Sequence, residues 1–453
     1  MRILLIHNSY NHYSGEEAVV DAQIALLKAG GHDVQTYMRG SSELKGLRFG
    51  HAHGFLSGVY NRRAVREIRE IIGGQKSEVR SQKPGVVTNG TADCRLPTAD
   101  SFPIDIVHIH NLYPLISPAI LPVIKSTRQL KNKPTYDIPK TQDPIHTHPA
   151  SSIQHPASNH QITNSPPKIV MTVHNYRLIC PNGLFFTHDE ICEQCSGGKE
   201  WKCITRNCEC SLFKSTGYAL RNFWARRKRY YLDNVDAFLC LTEFQKNKLV
   251  ENGFPAEKCF VLPNFLKASA KEHQGLKQGF ALFSGRINAQ KGFDILAKAA
   301  AKLPGIPFRV AGKGSSDYIT KVTIPTNIEM AGKLPKEEME EAFTQASFLV
   351  FTSRSYEGFP MVFLEAMAAG IPVIAPRMAG YPEIIEDGVN GLLFNPGDAE
   401  DLAKKIEMLW NDPELRARLG ENGRKRLETH YSPEVYYKKL IAVYKVAGLS
   451  SPQ

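Results

Sequence analysis

The chain has 453 residues, of which 42% are hydrophobic and 22% are charged, and its formal net charge is +11. This composition is typical of a globular protein, and the length favours two domains because single cores seldom grow beyond about 250 to 300 residues. Residues 1–7 turn polar too early for a signal peptide, and no apolar run approaches the roughly 18 residues of a spanning helix, so we expect a cytoplasmic protein.

The positive charge is unevenly distributed along the chain. Residues 275–453 contain 22 Lys and Arg against 21 Asp and Glu, so nearly all of the excess lies before them. This bias favours an anionic partner for the first part, either nucleic acid or an acidic membrane surface. Basic surface loops without a partner would give the same count.

Short apolar runs alternate with helical patterns in the first part of the chain. A strand at 3–7 is followed by a loop and by a helix from Glu16 to the glycines at 30 and 31. Further strands are predicted at 32–38, 104–110, 169–174, 237–241 and 259–262. The alternation predicts an α/β domain over 1–265 with a parallel sheet covered on both faces.

The same alternation starts again after a polar segment at 266–279. Strands are predicted at 280–284, 308–311, 328–331, 348–351 and 372–375, and helices between them at 292–303 and 336–345. This predicts a second α/β domain over 280–430. A last helix within 433–453 is compatible with packing on either domain.

Two segments, 74–102 and 131–167, lack hydrophobic periodicity, and we predict that both are loop insertions. The second contains four histidines whose spacing fits no defined metal site: His146, His148, His155 and His160.

The segment 353–370 has the strongest chemical signal. A strand ends in a polar loop, Pro360 stands at the first helical position and Gly370 at the helix stop. A helix amino terminus after a strand can hold an anion. The predicted helix is apolar except for Glu365, so we expect that carboxylate to be buried and to need a partner such as the hydroxyls of a sugar.

Glu357 and Glu365 lie eight positions apart in this segment. The segment resembles the Glu-x7-Glu region of retaining glycosyltransferases of family 4, which use nucleotide-sugar donors. Segments 370–375, 380–385 and 387–394 are also similar to that family. The resemblance implies the GT-B fold, in which two Rossmann-like domains face each other across a cleft. It also implies that Glu357 is catalytic and holds hydroxyls of the transferred sugar, and that Glu365 holds the ribose. Gly358 and Phe359 are implied to bind the donor.

A second segment, 284–292, resembles the diphosphate clamp of the same family. Arg286 and Lys291 lie between a predicted strand and helix, where fixed cations would stabilise the charge of a departing diphosphate. Solvated loop cations are the alternative. No two aspartates are two positions apart, so an Asp-x-Asp metal clamp is missing and we expect metal-independent transfer.

In the first domain, alternation along 105–111 places His108 and His110 on one face at the carboxyl end of a strand, where open α/β sheets bind ligands. His110 matches the active-site histidine of the family, which implies contact with a hydroxyl of the transferred sugar. Without the resemblance, a structural role is the simpler interpretation. Gly15 is similar to the first-domain loop that faces the diphosphate.

Six of nine cysteines lie between 180 and 210. The Cys192-x2-Cys195 pair is a chelating arrangement, and zinc is favoured over disulfides in a cytoplasmic chain. The region resembles a bacterial subgroup of family 4 with a cysteine-bearing insert, and that match favours Cys180, Cys192, Cys195 and Cys208 as ligands of a structural zinc. Cys203 and Cys210 are left as extras or substitutes. Free thiols and an iron–sulfur or redox role remain open.

The segment 212–233 has helical character, with aromatic residues interleaved with five cations: Arg221, Arg226, Arg227, Lys228 and Arg229. A basic aromatic helix can lie on an anionic leaflet. A packed helix with a solvated basic edge is the alternative.

The resemblance thus implies a hexosyltransferase that moves a sugar from a nucleotide-diphosphate sugar to a carbohydrate or lipid-linked acceptor with retention of configuration. The expected setting is bacterial surface polysaccharide or glycolipid synthesis at the inner face of the cell membrane, with no catalytic cofactor and no nucleic acid. The alternatives are a nucleotide-sugar epimerase of the same fold and a zinc-dependent nucleic-acid-binding protein.

Overall fold

A computed structural model describes residues 1–9, 15–44, 57–73, 104–127, 165–267 and 279–449. The predicted insertion at 74–102, residues 131–164 of the second insertion with its four histidines, and residues 268–278 of the predicted linker lie outside the described residues.

The first domain is built on a six-stranded parallel sheet, with strand order β2-β1-β3-β4-β7-β8. Its core strands are continuous apolar runs because helices cover both faces. A two-stranded hairpin, β5 and β6, stands outside this sheet. The strands are β1 Arg2–Ser9, β2 Asp33–Gly40, β3 Ile106–Asn111, β4 Lys168–Val173, β5 Phe186–Thr187, β6 Glu190–Ile191, β7 Ala237–Cys240 and β8 Cys259–Val261.

Helices surround this sheet, and several begin at a side chain that accepts a hydrogen bond from the first turn. Asn61 accepts from Ala64 N, and Thr242 accepts from Gln245 N. The helices are Gly15–Ala29, Arg62–Ile72, Ile120–Ser126, Trp201–Thr205, Leu212–Arg227, Tyr230–Asn234 and Glu243–Glu251, with 3-10 turns at Ser41–Leu44 and Ala256–Lys258.

The second domain repeats the architecture, with strand order β11-β10-β9-β12-β13-β14, again all parallel. Its strands are β9 Ala281–Ser284, β10 Phe308–Ala311, β11 Ile328–Gly332, β12 Phe348–Val350, β13 Val373–Pro376 and β14 Gly391–Phe394. Its helices are Phe293–Ala301, Ser316–Ile319, Lys336–Gln345, Met361–Ala369, Tyr381–Ile384, Ala399–Asn411 and Pro413–His430. The prediction of two α/β domains is confirmed, although it omitted β14.

The last helix, Pro433–Leu449, returns to the first domain. Tyr436, Leu440 and Tyr444 are buried in one apolar cluster with Ile3 of β1 and Ile106 of β3. The chain therefore crosses from the second domain back to the first, which settles the packing that the sequence left open. Within the described residues, no helix combines the length and the apolar character needed to cross a bilayer.

The segment 212–233 was expected to be one helix, and this prediction is wrong. The structure has two helices, Leu212–Arg227 and Tyr230–Asn234, separated at Arg229. Arg229 has φ of 49°, a left-handed conformation that interrupts the hydrogen-bond ladder of an α-helix.

Candidate active site between the two domains

The two domains touch at the carboxyl ends of their strands. A Cβ added to Gly358 would lie 2.6 Å from the backbone oxygen of His174, which follows β4. The Glu383 carboxylate accepts hydrogen bonds of 2.7 Å from Glu243 N and Phe244 N, at the amino terminus of a first-domain helix. These contacts bring the loop after β12 against the first domain.

The loop after β12 is held by Tyr381, whose hydroxyl donates to Ser355 O at 2.6 Å and accepts from Glu357 N at 3.2 Å. The Gln290 amide donates to Ser355 Oγ at 3.0 Å. The loop is thereby fixed to the predicted clamp segment 284–292 through Gln290, which precedes Ser355 by 65 residues in the sequence.

Lys291 and Glu357 are in direct contact, with Lys291 Nζ 2.7 Å from Glu357 Oε1. Both side chains are mostly buried, so this ion pair is only weakly screened by water. The structure therefore brings together one predicted cation and one predicted carboxylate. Arg286 is exposed, and its guanidinium lies 3.5 Å from Gln290 Oε1.

The helix Met361–Ala369 begins beside this ion pair. Its N-cap, Pro360, offers no side-chain hydrogen bond, so the first backbone N–H groups have no cap from that residue. A Cβ on Gly15 would lie 3.2 Å from Met361 Cγ, so the amino termini of two helices, one from each domain, meet here. Phe359 is buried against Tyr431 rather than open to a ligand.

Glu365 lies in the apolar helix Met361–Ala369, as predicted, and is partly buried. Burial, followed by the nearby Glu340, raises the pKa of Glu365 to about 7. In the part of the chain that the structure describes, no side chain donates a hydrogen bond to it. This carboxyl group has the partner-free environment in which sugar hydroxyls would bind.

We expect Glu365 to make stability depend on pH. Because its pKa is about 7 in the folded protein and 4.5 ordinarily, the folded state retains a proton that the unfolded chain releases between those pH values. The free energy of unfolding contributed by this group is therefore highest below pH 4.5 and falls as pH rises towards 7. Urea unfolding of nucleotide-free wild type and Glu365→Gln from pH 5 to 7.5 tests this, and a stability difference that is constant with pH would contradict it.

Four histidines gather at the ends of the first-domain strands. His108 and His110 stack with ring centroids 4.5 Å apart, as the alternation predicts, and His110 Nδ1 lies 2.8 Å from His174 Nε2. Burial and the neighbouring rings hold the pKa of His110 well below its usual range, and burial lowers the pKa of His174 to about 3. Both rings are therefore neutral at physiological pH, and one of the two facing nitrogens donates to the other.

His108 is fixed in turn by groups from three elements. Its Nδ1 contacts Tyr444 Oη at 2.6 Å and Gln23 Nε2 at 2.9 Å, while its Nε2 contacts Thr172 Oγ1 at 2.8 Å. The last helix thus supports the ring on which His110 stacks. His110 Nε2 is buried without a hydrogen-bond partner among the described residues, which marks it as an atom that a ligand would satisfy.

Sequence reasoning assigned no role to His7 or His174. His7 ends an apolar run in β1, and its ring lies 6.3 Å from that of His110. Its nitrogens approach Glu16 and Glu17 at 3.8 and 3.9 Å. Burial raises the pKa of Glu16 to about 8. The sequence does contain a signal that could have identified His7 and His174, because each is a polar residue at the end of a buried strand.

Five of the six cysteines at 180–210 lie near one another: Cys180, Cys192, Cys195, Cys203 and Cys208. Burial raises the pKa of Cys195 to about 12, and the Cys180, Cys208 and Cys192 sulfurs add to the rise. A hydrogen bond from the Cys203 thiol lowers the pKa of Cys208. Among the described residues, however, no group of three or more His, Cys, Asp or Glu side chains has the geometry of a metal site. The sulfur atoms are near one another but not arranged as a formed metal site, so structural zinc stays a prediction.

Elemental analysis decides the zinc prediction. We expect one zinc per chain after purification under reducing conditions, and lower melting temperatures for Cys192→Ser and Cys195→Ser because a structural zinc contributes directly to folding. The exposed Cys210 provides the matched control, Cys210→Ser, with little change. Zinc-free protein, or Cys192 and Cys195 variants as stable as this control, would contradict the prediction.

Comparison with known proteins finds similarity to glycosyltransferases that is concentrated in the second domain. Residues 265–426 match the family described as "Glycosyl transferases group 1". An uncharacterized glycosyltransferase of Methanocaldococcus jannaschii, MJ1178, is 37% identical over 201 residues, which cover 43% of this chain and 56% of the relative. The lipopolysaccharide core biosynthesis glycosyltransferase LpsE of Rhizobium meliloti is 30% identical over 226 residues, covering 47% of this chain and 66% of the relative. The chain therefore spans about half to two thirds of these relatives.

Among solved structures, Anabaena Alr3699/HepE in complex with UDP is 14% identical and has a TM-score of 0.58, with 98% of this chain and 100% of the other chain covered. At this identity the similarity concerns the fold alone. Together with the two parallel sheets, it confirms the predicted GT-B arrangement of two Rossmann-like domains.

Proposed function

We propose that the chain transfers a hexosyl group from a nucleotide-diphosphate sugar to an acceptor, with retention of anomeric configuration, because residues 265–426 match the glycosyl transferases group 1 family and the sequence resembles the retaining enzymes of family 4. The observation that carries the proposal is the contact between Lys291 and Glu357 in the segment that leads into the helix Met361–Ala369. A cation, a carboxylate and a helix amino terminus are the groups that a sugar diphosphate needs.

Each predicted residue has a role in this proposal. Arg286 and Lys291 bind the diphosphate, Gly15 allows its close approach from the first domain, and Glu365 accepts hydrogen bonds from the ribose. Glu357 and His110 bind hydroxyls of the transferred sugar. Gly358 has no side chain, which allows the loop to lie close to the backbone of His174. Phe359 fixes the loop by packing on Tyr431.

The proposed reaction proceeds on one face of the sugar. The acceptor hydroxyl oxygen bonds to the anomeric carbon as the bond from that carbon to the diphosphate oxygen breaks. The departing diphosphate oxygen takes the proton of the acceptor hydroxyl, so the products are a glycoside and a nucleoside diphosphate. Lys291, Arg286 and the helix amino terminus stabilise the charge that develops on the leaving group. No catalytic metal or other cofactor is needed.

Similarity to LpsE, whose name refers to lipopolysaccharide core biosynthesis, supports an acceptor in bacterial surface polysaccharide or glycolipid synthesis. We propose a carbohydrate or lipid-linked acceptor, bound mainly by the first domain, on an anionic surface at the inner face of the cell membrane. The complex of Alr3699/HepE with UDP-glucose supports a nucleotide-diphosphate sugar as the donor. The comparisons do not favour the epimerase or nucleic-acid-binding alternatives.

Product analysis tests the proposed function. Purified protein is incubated with a panel of nucleotide-diphosphate sugars and candidate acceptors, and the anomeric configuration of the product is read by NMR. We expect a glycoside with the anomeric configuration of the donor, formed equally well in EDTA. An inverted product would contradict retention, and a new nucleotide sugar formed without acceptor would favour the epimerase alternative.

A further inference from the structure

The helix Leu212–Arg227 has the reverse of the usual distribution of polarity. Its buried residues are small or polar: Ser215, Gly217, Ala219, Arg221, Asn222 and Ala225. Large apolar side chains lie on its exposed side, and Trp201 of the preceding helix is exposed with them. The side chains of this apolar face are Trp201, Leu212, Phe213, Leu220, Phe223 and Trp224, each between 40% and 63% exposed.

Polar contacts on the inner side fix this orientation. The Arg221 guanidinium donates to Pro181 O at 2.8 Å and lies 3.9 Å from the centre of the Tyr113 ring. Asn222 Nδ2 donates to Arg177 O at 2.6 Å. Rotating the helix to bury its aromatic residues would leave these polar groups without their partners, which is costly for buried groups. The outward direction of the apolar face is therefore built into the fold.

Contact with water is unfavourable for so many adjacent apolar side chains. Single exposed apolar residues are common on protein surfaces, but a contiguous apolar patch typically marks a binding surface. Tryptophan and phenylalanine beside cations are the residues that surface-lying helices place at the boundary between lipid headgroups and acyl chains.

The surrounding charges favour an anionic lipid surface. The helix contains no acidic residue, and Lys214, Arg227 and Lys228 are exposed around the apolar face. Lys228 Nζ lies 5.2 Å from the centre of the Trp224 ring. Only two of the five cations of 221–229 are free to contact a surface in this way, because Arg221 is buried, and two others form ion pairs: Arg226 with Glu200 and Arg229 with Asp233.

We propose that the apolar face inserts into an anionic lipid surface, with Lys214, Arg227 and Lys228 contacting the headgroups. In this proposal the aromatic side chains of the apolar face hold the protein on the membrane by inserting into it, and the three cations strengthen the binding. The biological role of this attachment rests on the proposed function, which is transfer of a sugar to an acceptor. Through Tyr113 and Arg177, the helix contacts the loops that follow His110 and His174, so docking brings the acceptor side of the site to the membrane.

Vesicle flotation and tryptophan fluorescence test the proposal without donor or acceptor, so their result is independent of catalysis. The vesicles contain phosphatidylcholine with or without phosphatidylglycerol. Two of the three tryptophans, Trp201 and Trp224, belong to the apolar face, while Trp410 packs on the core of the second domain. We expect flotation with anionic vesicles, a blue shift of the emission, and quenching by brominated acyl chains.

Substitutions separate insertion from charge attraction. The double variant Phe223→Ser, Trp224→Ser should lower the partition coefficient by at least about tenfold, because two large apolar side chains no longer leave water. Arg227→Glu with Lys228→Glu should lower binding to anionic vesicles by about tenfold or more. Met408→Ser, which removes an exposed apolar side chain from the second domain, is the matched control and should bind like the wild type.

Three results would overturn the proposal. One is the absence of flotation with any vesicle, and another is a Phe223, Trp224 variant that floats like the Met408 control. The third is a stable dimer in light scattering that this double variant abolishes while flotation is unchanged, which would assign the apolar face to contact with a second copy. Melting temperatures close to that of the wild type verify that each variant is folded.

Discussion

Lys291→Met should lower kcat by about 10² to 10³ while leaving the protein folded. The substitution keeps the length of the side chain but removes the charge that contacts Glu357 and, in the proposed reaction, the departing diphosphate. Loss of one preorganised charge contact in the transition state commonly has an effect of this size. Steady-state kinetics at saturating donor and acceptor measure it.

Lys298→Met is the matched control, because Lys298 is an exposed lysine in the adjacent helix Phe293–Ala301. Its activity should stay near that of the wild type. Combining Lys291→Met with Glu357→Gln should cost less than the sum of the two single effects, since the two side chains act as one contact. Turnover of Lys291→Met within threefold of Lys298→Met would contradict the assignment.

Gly358→Ala should reduce kcat by about a hundredfold, because the added methyl would lie 2.6 Å from the backbone oxygen of His174. The loop that carries Glu357 would have to move away from the first domain, and a displacement near 1 Å in the reacting groups can cost that much. The methyl would also lie 3.4 Å from Gln245 Nε2, so a second first-domain residue crowds the same position.

Gly305→Ala serves as the control for this prediction, since a Cβ at Gly305 meets no atom within 4 Å. Both variants should retain the melting behaviour of the wild type within a few degrees, because Gly358 lies at the domain boundary rather than in a core. If Gly358→Ala were as active as Gly305→Ala, the close approach of the two domains at His174 would not be required for transfer.

The alternation of strands and helices could be predicted from the sequence because buried parallel strands are continuous apolar runs between helices. The structure of the segment that contains Glu357 and Glu365 could also be predicted, since a strand, a polar loop and an apolar helix follow one another directly in the sequence. β14, Gly391–Phe394, was not predicted, although strands as short as the three residues of β12 were, so its length does not explain the omission.

Contacts between distant segments could not be predicted. His110 and His174 are 64 residues apart, and their 2.8 Å contact depends on β3 and β4 being neighbours in the sheet. The sequence does not distinguish Arg221 from the other cations of 221–229, yet Arg221 is buried against Tyr113 and Pro181. Charge and periodicity identify a helix and its composition, but the partners of each side chain decide which face is inward.

Thermal unfolding with a panel of nucleoside diphosphates tests most directly whether the ion pair of Lys291 and Glu357 belongs to a donor site. A nucleotide present at 100 times its Kd stabilises the folded state by about 2.7 kcal/mol, which raises Tm by roughly 5 to 10 °C in a domain of this size. We predict such a shift for at least one nucleoside diphosphate in the wild type and in Lys298→Met, and a much smaller one in Lys291→Met and Arg286→Ala. No shift with any nucleotide, or equal shifts in all four proteins, would contradict the assigned site.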